Sequence, residues 1–116
     1  MKRIILSVCI ICSVGLYAMT REPPKRYSDR VNVIEDDSQL VIVIATEFEP
    51  NSYDIYEIYI FGARDEDVIV LNSRDCSMKT IGDNLILVIS GFTKKFEITG
   101  IGVMLIRRGK MEYYSM

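Results

Sequence analysis

The chain has 116 residues, 49% of them apolar and 26% charged, with 14 Lys and Arg against 16 Asp and Glu. That is room for one domain, and the composition is globular rather than disordered or collagen-like. His and Trp are absent, which excludes His-based triads, His general bases and nearly all zinc chemistry.

The N-terminus reads as an export signal. Lys2 and Arg3 precede an apolar run from Ile4 to Met19, broken only by Ser7, Ser13 and Gly15. A basic start followed by a short apolar stretch is the pattern of a secretory leader. The expected signal peptide covers residues 1–18, with cleavage after Ala18 and Ser13/Gly15 as the alternative small-residue site. An uncleaved anchor is the competing reading, but a helix of this length rises ~24 Å against a ~30 Å hydrocarbon core. A lipid attachment at Cys9 is a poorer fit, because Val8 is bulky and the apolar stretch before Cys9 is short. The expected destination is secreted, periplasmic or cell envelope. Cleavage leaves 98 residues with 12 basic and 16 acidic side chains, net −4. Nucleic-acid binding, which needs a basic surface, is demoted. Cys76 is then the sole thiol, so no internal disulfide can form and the core alone must hold the domain. Membrane association is expected only through an uncleaved signal segment.

Residues 19–30 hold Pro23, Pro24 and four basic side chains, and read as an extended linker. The domain is expected over 31–116. From residue 19 onward there are 13 Ile and 8 Val against 5 Leu and 2 Ala. That bias suits pleated strands, and no helical apolar stripe appears. The expected strands are Val31–Ile34, Gln39–Glu47, Tyr53–Phe61, Asp67–Asn72, Cys76–Ile81, Leu85–Ser90, Lys95–Thr99, Val103–Arg107 and Lys110–Ser115, with Val31–Ile34 short and Cys76–Ile81 weaker than the rest. Leu40 to Ala45 and the core of Leu85–Ser90 are apolar on both faces, which predicts central strands. Gly100-Ile101-Gly102 predicts a bulge or bend. Arg108-Gly109 predicts a hairpin turn. Seven or eight short strands at this spacing give an all-β domain, an immunoglobulin-like β-sandwich, with a small β-barrel as alternative.

The Ile34-Glu35-Asp36-Asp37-Ser38-Gln39-Leu40 entry into an Ile/Val run, and the polar turn Ala63 to Asp67 leading into Val68-Ile69-Val70, resemble small secreted Bacteroidetes proteins. These form the uncharacterised group called domain of unknown function 3244. The resemblance covers roughly Asp29 to Ser115 and implies an immunoglobulin-like sandwich. Lys94-Lys95-Phe96 stands where that group usually has Gly-Glu-Tyr. The group has no known activity to transfer.

Few residues carry chemistry. The turns Glu35-Asp36-Asp37 and Asp65-Glu66-Asp67 are acidic but lack the spacing of a calcium hand, and read as solvated strand ends. Glu47, Glu49 and Glu57 could pair for glycoside chemistry, yet the chain offers no long cleft and no Trp. Cys76, beside Asp75 and near Arg74, has no His to activate it. Ser90 with Lys94 or Lys95 imitates a Ser-Lys dyad only by spacing. Gly100 and Gly102 lack a third glycine and a following helix. No catalytic residue, metal or cofactor is expected.

The best binding signal is aromatic: Tyr53, Tyr56, Tyr59 and Phe61 on one strand, with Tyr113 and Tyr114 near the end. If Tyr56, Ile58 and Ile60 face the core, alternation turns Tyr53, Tyr59 and Phe61 outward beside Glu57, as a partner-binding strip. Charge is also split: residues 19–75 carry net −7 and residues 76–116 net +3. Cross-strand pairing within the domain accounts for this, and head-to-tail self-association is the alternative. The sequence therefore predicts a small exported binding module for an unidentified protein or surface partner, able to self-associate weakly. The alternative is an inhibitor of a secreted enzyme, a lysozyme or protease, acting through the Phe48 to Tyr53 loop.

Overall fold

A computed structural model describes residues 23–36 and 38–116. The signal segment 1–18, the first part of the linker and Asp37 lie outside the described residues. The strands are β1 Lys25–Tyr27, β2 Val31–Asp36, β3 Gln39–Ala45, β4 Asp54–Phe61, β5 Val68–Leu71, β6 Ser77–Ile81, β7 Asn84–Ser90, β8 Gly100–Arg107 and β9 Lys110–Ser115. Two single-turn 3₁₀ helices, Pro50–Ser52 and Ser73–Asp75, punctuate them.

The strands form two sheets, a five-stranded one in the order β1-β9-β8-β4-β5 and a four-stranded one in the order β2-β3-β7-β6. In the lettering of immunoglobulin domains the second reproduces A-B-E-D, and β9-β8-β4-β5 gives G-F-C with one strand beyond. The fold is the expected immunoglobulin-like sandwich. Its core follows from alternation. Leu40, Ile42 and Ile44 of β3 and Leu85, Leu87 and Ile89 of β7 face Ile58 and Ile60 of β4 and Ile101, Val103 and Leu105 of β8. The β8–β9 hairpin turns at Arg108 and Gly109 with φ of 55° and 76°. Two successive positive φ values match the right-handed strand twist, and glycine takes the second without penalty.

Four expectations need amendment. Part of the expected linker is a strand: β1 pairs in parallel with β9, and Tyr27 stacks on Tyr114 with ring centroids 4.8 Å apart. Lys95–Thr99 is not a strand. That segment carries the chain from the four-stranded to the five-stranded sheet, and it meets β4 only at its end, where the Thr99 N–H donates to the Phe61 carbonyl at 2.8 Å. Its Phe96 and Ile98 still pack against the core. The Gly100–Gly102 stretch pairs regularly with β4, and the irregularity lies instead on β4, between Ile55 and Glu57. Finally, β3 and β7 are the inner pair of their sheet, as predicted, but Val41, Val43 and Val88 on the outward side are only half-buried. A two-layer sandwich covers just one face of each sheet.

Candidate functional site

The bulge on β4 decides where the aromatic side chains go. An extra residue in one strand reverses the alternation beyond it. Ile55, opposite Leu105, faces inward; past the bulge Glu57, Tyr59 and Phe61 face outward, opposite Met104, Gly102 and Gly100. Tyr53 therefore does not share a face with Tyr59. It is 2% exposed, and its expected outward orientation is corrected. Tyr56, expected inward, sits at the bulge and is 48% exposed.

Tyr53 belongs to a buried polar cluster at one end of the sandwich. The hydroxyls of Tyr53 and Tyr114 each donate to Glu112 Oε1 at 2.7 Å and lie 3.2 Å apart. The backbone N–H of Phe48 donates to the Tyr53 hydroxyl at 3.3 Å, and that of Glu47 to the Tyr114 hydroxyl at 3.0 Å. Arg107 Nε stands 3.6 Å from Glu112 Oε2, and its guanidinium lies 3.7 Å from the centre of the Phe48 ring. Burial, foremost, pushes both phenols above their ordinary range; Glu112 as acceptor pushes the same way. The cluster clamps the 46–53 loop to β9. Sequence reading did not single out Glu112 or Arg107.

The outer face of the five-stranded sheet is different in kind. Register places its side chains in rows across the strands. One row reads Met111, Ile106, Asp54; the next Arg26, Tyr113, Met104, Glu57; then Ser115, Gly102, Tyr59, Val70; then Gly100, Phe61, Val68. The Tyr59 and Phe61 rings stack at 6.3 Å and 16°, and Tyr113 tilts against Tyr59 at 6.3 Å. Tyr113 reaches across β8 and lies on Gly102, where a Cβ would meet its ring. Arg26 covers Tyr113, 5.2 Å from the ring centroid. Tyr59 donates to Glu57 Oε1. Burial and that acceptor push the Tyr59 hydroxyl far above its usual range. Tyr59 and Phe61 are half-buried, and Val70 is 53% exposed. The result is a flat aromatic and aliphatic surface edged by charge.

The remaining sequence candidates do not converge. Glu47 pairs with Arg30 at 3.1 Å in the loop, while Glu57 lies on the outer sheet face. Asp67 turns back onto Arg64, which accounts for its lowered carboxyl pKa, and among the described residues no three His, Cys, Asp or Glu side chains group as metal ligands. Burial, and then Asp75, pushes the Cys76 thiol up, away from a thiolate, and Cys76 packs against the core. Lys94 bridges Glu35 at 3.1 Å and Glu97 at 3.3 Å; the first of these pairs joins the acidic and basic halves of the chain. Two depressions open to solvent. One is lined by residues 46–50 with Asp83, the other by Ile69, Leu71, Ile89 and Phe92 among others. Neither includes the aromatic face. No protein-family model, curated protein or solved structure matches the chain.

Proposed function

We propose that the chain is a small exported, non-catalytic binding module whose contact surface is the outer face of the five-stranded sheet. One observation carries this reading: Tyr59, Phe61, Tyr113, Met104, Ile106, Val68 and Val70 share that face in register, with Glu57 set among them. Rigid rings offer contact area at low entropic cost, and the hydrogen-bonded Glu57 carboxylate fixes orientation. Residues 1–18 carry the export signal in this reading, and the domain works in the periplasm, at the cell surface or outside.

The test is capture from the native envelope with the exported protein as bait. Tyr59→Ser and Phe61→Ser should each melt within a few degrees of the parent, yet lower partner recovery about tenfold or more, since truncated hot spots cost ≥ ~2 kcal/mol. Unchanged recovery for both would remove the face from consideration. A second reading, inhibition of a secreted enzyme, draws on the 46–53 loop. Its Phe48 is 47% exposed while its backbone is pinned by Tyr53 and Tyr114. Phe48→Ala would then abolish inhibition of a lysozyme or protease panel, while Tyr59→Ser would not.

A further inference from the structure

Charge on the aromatic face runs in one direction. The row Arg26, Tyr113, Met104, Glu57 has a cation at the β1 edge and a carboxylate three strands away on β4, with a ring and a thioether between. Asp54 adds a second carboxylate to β4, while Lys25, in register with the core-facing Glu112, turns away from this face and leaves Arg26 as its cation on β1. A basic border and an acidic border thus flank an apolar centre of Met111, Ile106, Tyr113 and Met104.

Such a face complements itself. Consider a two-fold axis parallel to the strands, running between β9 and β8 in the plane of contact. It exchanges β1 with β4 and β9 with β8. Arg26 of each copy then stands over Glu57 of the other, and Tyr113 over Met104. This mutual exchange is what a two-fold interface requires. A copy docked with its strands reversed would lose that match, setting each charged border against its own kind.

We propose that the partner of this face is a second copy of the chain, docked face to face about that axis; this rests on the reading of the face as the binding surface. The sheets would pack nearly aligned at ~10 Å, as sandwich layers do. Four strands at ~4.8 Å and the three rows that β9 and β8 share, at ~6.7 Å, bound the overlap at roughly 390 Å² per copy, about 770 Å² in all. That falls well below the ~1,200–2,000 Å² of standard stable complexes. The dimer is therefore weak and concentration-dependent.

Sedimentation velocity over a concentration series tests the arrangement, using the exported protein, Arg26→Glu, Glu57→Arg and the double reversal. The parent should show a monomer–dimer equilibrium. Each single reversal should raise the dissociation constant about tenfold or more, by setting like charges opposite each other. The double reversal should return to within about threefold of the parent, because the pairs are restored across the axis. Glu57→Gln, which keeps an acceptor for Tyr59, should weaken the dimer in the same direction and guards against misfolding of Glu57→Arg; melting curves verify each fold. A parent monomeric at every soluble concentration overturns the proposal, as does a double reversal no tighter than the single ones. Envelope capture separates the two readings. If the parent is monomeric yet Tyr59→Ser loses a captured partner, the dimer fails and the binding face stands. If a dimer forms that ignores every reversal, and capture also ignores Tyr59→Ser, both fail.

Discussion

Glu112 occupies a core-facing position on β9, where a lone carboxylate would be costly to bury. It is 4% exposed and is held by two phenol hydroxyls with Arg107 beside it. Glu112→Ala would leave the two hydroxyls only each other to donate to and the guanidinium without its carboxylate, at a cost of about 3–5 kcal/mol. Tyr53→Phe removes one donor and leaves Tyr114 bonded, so it should cost about 1 kcal/mol. Urea unfolding of the two variants measures the difference. If Glu112→Ala proves no worse than Tyr53→Phe, the carboxylate does not hold the cluster together. The sequence hid this residue for a plain reason. Glu112 and Tyr114 share one face of β9, Met111 and Tyr113 the other, and the second set is the more apolar. Alternation alone therefore favours turning Glu112 to solvent. Only the clustered partners from β8 and the 46–53 loop reverse that preference.

Strands with unbroken registers were the legible elements. Leu40 to Ala45 and Leu85 to Ile89 carry enough β-branched and Leu side chains that either phase yields a central strand. Arg108-Gly109 announces its own hairpin. Beta-bulges leave a fainter trace. Nothing in Asp54-Ile55-Tyr56-Glu57 marks the inserted residue, so alternation carried from Tyr59 back to Tyr53 ends on the wrong face. Glycine pairs mislead in the opposite sense. Gly100 and Gly102 suggest a kink, whereas Gly102 lies in a regular strand and leaves room for the Tyr113 ring. Gly102→Ala should displace that ring and cost about 1–3 kcal/mol, as overpacking does. Adding Tyr113→Ser removes the collision, so the double variant should be more stable than the two single costs predict. Chemical denaturation of the cycle decides it. Additive costs would show that Gly102 is needed for backbone freedom and not for the ring.

At the scale of the whole molecule, stability rests on one core with no disulfide among the described residues, where Cys76 is a free thiol. A domain of this kind holds ~5–15 kcal/mol in total, so a few perturbed groups can decide its pH range. Tyr53 and Tyr114 keep their protons more tightly folded than unfolded, because burial penalises the phenolate. Well below the ordinary phenol pKa of ~10, both states are protonated and pH has no leverage through them. Above it the unfolded chain ionises first. Stability then falls as pH rises, by at most about 1.4 kcal/mol per unit for each of the two, until the folded hydroxyls ionise as well. The molecule should therefore unfold cooperatively in alkali, with phenolate absorbance and loss of strand circular dichroism moving together. Tyr53→Phe removes one ionising group, so its stability should decline less steeply above about pH 10 than that of the parent. Equal slopes for the two proteins, or phenolate appearing at Tyr53 and Tyr114 while the sheets remain intact, would mean that the cluster admits water and does not couple ionisation to unfolding.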